Sequence, residues 1–265
     1  MTTADPSLPP TADRVAALLT TRWLGRAFEW HAVCASTSDL AADRARAGAP
    51  AGLVIAADAQ TGGRGRLGRV WHSPGGENLY VSLLLRPRRT AAEIPPLTLL
   101  AGAAVARAVA ALGVAPRLKW PNDVQLVDAA GRRRKLAGVL TEMVSAGARV
   151  EHVVVGIGIN ANATAFPAEL ADRATSLRLA TGQPIDRARL LAGLLDAFEP
   201  LYDEFEQRGV AAAVPAFTEY AAFPDRCRVD DRLEGVALGI DPDGALRLRD
   251  DAGQIHRVIS GEVQP

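Results

Sequence analysis

Eight consecutive positions, 62–69, hold four glycines and three arginines, with an apolar, strand-like run on either side. A segment so charged and so short of apolar side chains cannot enter a core. The chain must therefore carry it as a surface loop between two strands, over 52–59 and 78–86. Glycine permits backbone conformations closed to other residues and leaves no side chain between the main chain and a ligand. Arginine adds fixed charge and fork-shaped donors matched to phosphate and carboxylate. Three readings are open for this loop: an anion clamp that orders on its ligand, a flexible solvated connection, or a nucleic-acid-binding arginine–glycine patch.

The rest of the chain narrows the setting. Its 265 residues make one large domain or one domain with a small appendage. The formal net charge is zero, which argues against wholesale attraction to nucleic acid or to an anionic membrane. No uninterrupted apolar stretch reaches the ~18 residues of a membrane span. Residues 1–10 are polar, acidic and proline-rich, unlike a signal peptide, and read as a disordered tail. Cys34 and Cys227 are too few for a disulfide framework and read as buried small apolar residues. The four histidines are scattered without metal-ligand spacing. The expected location is cytoplasmic. Of thirty basic residues only Lys119 and Lys135 are lysine, so each is a candidate for a role that needs a compact ammonium.

Periodicity predicts a helix over 12–25, a strand over 27–34 and a helix from the hydroxyl cluster Ser36-Thr37-Ser38 to Gly48. Pro95-Pro96 opens a long apolar helix that Gly113 stops. Short strands follow over 117–120 and up to Val127, then a hairpin of strands over 135–144 and 150–159. A polar loop leads to helices over 187–208 and 211–219. Beyond 221 the pattern changes to short strands separated by Asp-Pro-Asp-Gly and Asp-Asp-Ala-Gly turns. The expected division is a tail over 1–10, a catalytic domain over 11–220 and a small β-barrel over 221–265. Helices and strands do not alternate regularly, which favours an α+β fold with a mixed sheet.

Several motifs are absent, including a phosphate-binding P-loop and a GxSxG nucleophile elbow. Gly156-Ile157-Gly158-Ile159-Asn160-Ala161 has dinucleotide-fingerprint spacing but opens no periodic helix. It reads instead as a close backbone approach at a strand end, with Asn160 offering an amide to a ligand. In Lys119-Trp120-Pro121-Asn122-Asp123 the proline fixes a turn from which Asn122 and Asp123 can project, although both are also ordinary turn residues. Lys135-Leu136-Ala137-Gly138 sets a lone lysine at the head of a small-residue strand, with room for a flat ligand beside Gly138.

These four motifs, in this order and spacing, resemble the bacterial biotin–protein ligases, and Ser36-Thr37-Ser38 resembles that family's Ser-Thr-Asn element. The resemblance covers nearly the whole chain. It implies a mixed sheet flanked by helices, like that of class II aminoacyl-tRNA synthetases, with an SH3-like C-terminal barrel. It also implies a two-step reaction, in which biotin and Mg-ATP give biotinoyl-5′-AMP and pyrophosphate, and a carrier-protein lysine then takes the biotinoyl group. ATP and Mg²⁺ are the implied cofactors and biotin the substrate.

Carried over by resemblance, Ser36, Thr37, Ser38 and Gln60 line the ureido end of the biotin site. Gly63, Arg64, Gly65, Arg66, Lys135 and Gly138 contact biotin and its carboxylate. Arg66, Arg69, Trp71, Lys119, Asn122, Asp123 and Asn160 lie on the ATP side, with Trp71 stacking on adenine. Lys135, Arg64, Arg66 and Asp123 are the candidate catalytic residues, and Asp123 either holds Mg²⁺ or positions Lys135 or the incoming lysine. Ser38 departs from the family's usual Asn, exchanging an amide for a hydroxyl of shorter reach.

The implied partner is the biotin carboxyl carrier domain of an acyl-CoA or pyruvate carboxylase, served by a monomer or weak homodimer. Only 35 residues precede Ser36, too few for the helix-turn-helix module of the family's repressor members, so specific DNA binding is not expected. The enzyme alternative is a lipoate- or octanoate-type ligase. The alternative of another class is a nucleic-acid-binding protein using the Gly-Arg loop, against which zero net charge and the lack of a basic-aromatic stripe weigh.

Overall fold

Alternation along one strand organises the main sheet. In β7 (Arg149–Ile159) the side chains of Val153, Val155, Ile157 and Ile159 enter the main hydrophobic core, while Val154 joins a smaller cluster on the opposite face. Gly156 and Gly158 share the face of Val154, so that face loses its side chains toward the end of the strand. The computed structural model describes residues 8–223, 226–230 and 232–264. Most of the tail expected over 1–10 lies outside them.

The other strands of this sheet are β1 (Phe28–Cys34), β2 (Val54–Gln60), β3 (Leu79–Leu85), β4 (Arg117–Lys119), β5 (Asp123–Val127) and β6 (Arg133–Ala146). Seven strands run in the order β1-β2-β3-β7-β6-β5-β4; β1 and β2 are parallel and every other neighbouring pair is antiparallel. This is the expected mixed sheet. Helix α1 spans Ala12–Ala16, and α2 (Thr37–Arg46) covers one face through Ala41 and Ala45, against Ile55, Leu84 and Val154. The other face is covered by α3 (Leu97–Ala110), which packs on a long helix over Arg187–Arg208. By length and composition the helical stretch Ala91–Ala110 could cross a membrane, yet 72% of its most apolar 18-residue window is buried inside this fold, where it serves as the core helix. Between β7 and the long helix lie α4 (Ala168–Ala171) and α5 (Leu177–Thr181), in the stretch expected to be a polar loop. The long helix is α6, and α7 spans Ala213–Thr218.

The helix expected over 12–25 stops after α1 at Ala16. Beyond it the backbone finds partners on α6. Asp196 accepts from the N–H of Thr20, and the buried Glu199 carboxylate accepts from the N–H groups of Arg22, Trp23 and Leu24 at 2.7, 3.0 and 2.9 Å. Those donors are spent on side chains, so no intrahelical ladder forms.

The C-terminal segment forms β8 (Cys227–Val229), β9 (Leu233–Ile240), β10 (Leu246–Arg249), β11 (Ile255–Val258) and β12 (Val263–Gln264). They make an antiparallel sheet in the order β11-β10-β9-β8-β12. The expected closed barrel is not found: among the described residues β11 and β12 stay unpaired with each other. Leu246, Leu248, Val229 and Val263 enter the same hydrophobic cluster as α3 and the main sheet, and Trp120 donates from Nε1 to the Gly244 carbonyl at 2.9 Å. That packing sets the end of the chain against the first sheet.

Candidate active site

The glycines of β6 and β7 make the floor of a cavity of about 470 Å³, a volume suited to a small ligand. Gly138 faces Gly158 across the β6–β7 ladder, and Gly156 faces Leu140 on one side and Ser82 on the other. Each glycine has a specific neighbour in place of a Cβ. One added at Gly156 would lie 2.7 Å from Ser38 Oγ, and one at Gly158 would lie 2.5 Å from the Trp71 indole nitrogen. The space expected beside Gly138 for a flat ligand is therefore filled by Trp71, whose ring lies over Gly138 and Gly158. One face of the Trp71 ring thus packs on the sheet, because two facing glycines leave an indole-sized gap there. Trp71 Nε1 is buried without a hydrogen-bond partner among the described residues.

The Gly-Arg loop is folded rather than slack. Trp71 N–H donates to the Gly63 carbonyl at 2.9 Å and Gly65 N–H to the Arg69 carbonyl at 2.7 Å. Leu67 and Gly68 turn the tip with φ of 57° and 72°, left-handed geometry that costs Leu67 on the order of 1 kcal/mol. Gly63 is not among the residues that line the cavity. A Cβ there would sit 2.5 Å from the Trp71 carbonyl oxygen, so glycine serves the loop's own closure.

The three arginines of this loop meet different fates. Arg64 lines the cavity but pairs with Asp39 of α2 and, at 2.9 Å, with Glu142 of β6. Its charge is met by protein acids, not offered freely to a ligand. Arg69 pairs with Glu262 at 2.9 Å. Among the described residues Arg66 donates only to neutral oxygens, Asn122 Oδ1 at 3.1 Å and the Gly261 carbonyl at 3.4 Å. Burial pulls its guanidinium below the usual arginine range, with Asp123 acting in the opposite direction. A half-buried cation without a salt-bridge partner is a strong attractor for an anionic ligand.

Lys135 Nζ lies 2.6 Å from Asp123 Oδ1 and 5.3 Å from the centroid of the Trp71 ring. Its backbone is clamped by residues 173–175: Lys135 N–H donates to the Arg173 carbonyl at 2.7 Å and Thr175 N–H to the Lys135 carbonyl at 2.9 Å. Asn122 is fixed by two bonds to Val139, which leaves its Oδ1 for Arg66. The Trp120–Pro121 peptide between Lys119 and this pair is cis. Lys119 lines the cavity as well, so both lysines of the chain do. Asn160 does too, but its Nδ2 donates to the Thr175 carbonyl at 3.0 Å. The Asn160 amide nitrogen thus ties down the Lys135 clamp.

At the far end Ser36, Thr37, Ser38 and Gln60 all line the cavity, as does Gly65 nearer the loop. Ser36 occupies the N-cap position of α2 without making a side-chain cap bond. Sequence reasoning missed Glu262 and Val263, which reach the cavity from the other sheet, and Phe166, Leu170 and Arg173, which wall it from a stretch expected to be loop. Phe166 and Leu170 are four residues apart, a weak signal for one helical face. Glu262 carries no local signal at all. As for metals, no three His, Cys, Asp or Glu side chains cluster among the described residues, and the Asp123 carboxylate is already held by Lys135. These residues do not fit a resident Mg²⁺ site centred on Asp123, and a magnesium ion carried on a triphosphate belongs with the substrate.

Residues 30–160 match the biotin/lipoate A/B protein ligase family, and residues 226–264 match the biotin protein ligase C terminal domain. The bifunctional ligase/repressor BirA of Bacillus subtilis is 38% identical over 253 residues, covering 93% of this chain and 76% of that protein. The biotin--[acetyl-CoA-carboxylase] ligase of Mycobacterium tuberculosis is 33% identical over 283 residues, covering 99% and 98%. The chain belongs to the biotin protein ligase family. In fold, this family member is similar to the biotin protein ligase of Aquifex aeolicus solved with biotin and ATP, at a TM-score of 0.77 and 29% identity over 90% of this chain and 98% of that one. The match at 226–264 is to a domain of biotin ligases, so the lipoate-type alternative is not favoured.

Proposed function

We infer that the chain is an ATP-dependent biotin–protein ligase, which makes biotinoyl-5′-AMP and passes the biotinoyl group to a lysine of a carboxylase's biotin carrier domain. The observation that carries the residue roles is the meeting of Lys135, Asp123 and Arg66 in one glycine-floored cavity. In the first step a biotin carboxylate oxygen attacks the α-phosphorus of ATP, and the bond to the bridging oxygen breaks to release pyrophosphate. Both reactants are anions, so the step needs fixed positive charge where water is scarce. Lys135 and Arg66 supply that charge, and Asp123 aims the Lys135 ammonium. In the second step the carrier amine attacks the acyl carbonyl, AMP leaves, and the amine nitrogen loses a proton.

Arg69, Lys119 and Asn122 are assigned to the triphosphate side, and Ser36, Thr37, Ser38 and Gln60 to the ureido end. The Trp71 indole separates the two regions and forms a wall for the acyl chain rather than a platform for adenine. Pairing of Arg64 and Arg69 with protein acids, and zero net charge, support a small-ligand site over a nucleic-acid surface, so the reading includes no specific DNA binding. The test is ATP–pyrophosphate exchange with and without biotin, followed by biotin transfer to an isolated carrier domain. Exchange that does not depend on biotin would overturn the assignment.

A further inference from the structure

A buried hydrogen-bond chain runs behind the end of the cavity opposite Lys135, and its direction can be worked out by counting protons. The Thr37 backbone N–H, which can only donate, reaches Gln60 at 2.8 Å, so the atom facing it is the carbonyl Oε1. The Thr37 hydroxyl lies 3.2 Å from that same oxygen and must also donate to it. Ser82 Oγ, fully buried on β3, lies 2.8 Å from Thr37 Oγ1, whose proton is already committed, so Ser82 donates to Thr37. Ser38 Oγ is 3.1 Å from Ser82 Oγ, whose proton is now spent, so Ser38 donates to Ser82. On the other side Gln60 Nε2 donates to Ser73 Oγ at 3.1 Å, and Ser73 donates to the Trp71 carbonyl at 2.9 Å. Every hydroxyl in the chain uses its single proton once.

This order decides what the cavity can offer. Ser38 and Thr37 line it, yet neither has a proton left, so each presents lone pairs only. Ser36 also lines the cavity, and its hydroxyl donates to no partner among the described residues, so its proton is available for an acceptor. Two acceptors beside one donor complement the N–H, C=O, N–H edge of a cyclic urea. Ser82 never reaches the cavity, and Gly156 gives Ser38 Oγ the room to lie against it.

We propose that Ser82 is a positioning residue for substrate selection: by taking the Ser38 proton and giving its own to Thr37, it fixes both as acceptors and selects ligands with urea N–H groups over acids of similar shape that lack them. The proposal rests on the ligase reading, which names biotin as the ligand. A site polarised in this way leaves its lone pairs unmet when a ligand brings no N–H, and sites built on specific hydrogen bonds discriminate far better than apolar ones.

The test is biotin-dependent ATP–pyrophosphate exchange in the wild type, Ser82→Ala and Ser82→Thr, with biotin and with an analogue methylated at one urea nitrogen. Loss of one oriented hydrogen bond should raise the biotin KM of Ser82→Ala about tenfold. Its KM for ATP and its rate at saturating biotin should stay within about twofold, since Ser82 touches neither the triphosphate side nor Lys135. The preference for biotin over the methylated analogue should also fall about tenfold, because the freed Ser38 hydroxyl can turn its proton to the ligand. Ser82→Thr, which keeps the hydroxyl, should recover both values. If Ser82→Ala melts like the wild type and keeps the same preference, or loses ATP and biotin affinity equally, the positioning role is overturned while the ligase reading stands. Absence of exchange in the wild type overturns the ligase reading and this proposal together.

Discussion

Arg69 donates to the Glu262 carboxylate at 2.9 Å, a contact that joins the arginine loop to the end of the chain across 193 positions of sequence. With Arg66 reaching the Gly261 carbonyl, the second sheet becomes part of the ligand site's wall. Both members of the Arg69–Glu262 pair are well exposed, so the pair adds little to stability. Its effect should appear in loop position. Arg69→Ala and Glu262→Gln are each expected to raise the KM for ATP several-fold and to shift the melting temperature by less than about 2 °C. A double mutant cycle on that KM should show the two changes to be non-additive.

Lys135→Ala removes a cation from the reacting centre and should slow biotin-dependent exchange by about a hundredfold or more at saturating substrates. Asp123→Asn leaves the ammonium in place but loosens its aim, and a smaller loss of about tenfold is expected. Additive losses in the double variant would show that Asp123 acts directly rather than through Lys135. Steady-state exchange rates separate these outcomes.

Gly156→Ala and Gly158→Ala change one carbon each, two residues apart on one strand, and should fail differently. Neither glycine has a positive φ, so the backbone accepts alanine and the neighbours decide the result. At Gly156 the new methyl meets Ser38 Oγ, and the KM for biotin should rise by about tenfold while that for ATP stays near wild type. At Gly158 it meets the Trp71 indole, so both values should rise and the near-ultraviolet circular dichroism should change.

Glu199 predicts an acid-sensitive joint between the N-terminal segment and α6. Burial alone would raise its carboxyl, but the backbone N–H groups of Arg22, Leu24 and Trp23 outweigh it and hold the group below its ordinary value of 4.5. A carboxyl depressed by folding stabilises the protein above the unfolded value, and that stabilisation drains away as pH falls through the folded value. Glu199→Gln should cost about 1–3 kcal/mol at neutral pH and flatten the fall in melting temperature below about pH 4.5. Thermal melts of both proteins between pH 3 and pH 7 check it.

Local patterning made much of the fold and some of the site readable. Strand alternation, the apolar α3 and the paired glycines at 156 and 158 are neighbour-scale signals, and they located the mixed sheet and the bare floor of the cavity. The lone Lys135 was conspicuous because arginine fills nearly every other basic position. What escaped is what distant segments decide. Glu199 prevents a helix by engaging backbone 175–177 residues away, Glu262 enters the site from another sheet, and Thr175 takes the amide of Asn160. Trp71 was placed by resemblance, whereas the packing of its ring on the sheet follows from a gap that only the β6–β7 register creates.

The confinement of both lysines to the cavity has a chemical consequence. An acyl-adenylate is an electrophile that acylates whatever amine it meets, and a protein that makes one is the nearest target. Here no lysine side chain lies outside the cavity, and Lys135 is held by Asp123. Intact-mass measurement after incubation with biotin and ATP should find almost no self-labelling, with any product confined to the N-terminal amine. An arginine-coated exterior thus leaves a stray activated acyl group to water or to a partner's lysine, sparing the protein that made it.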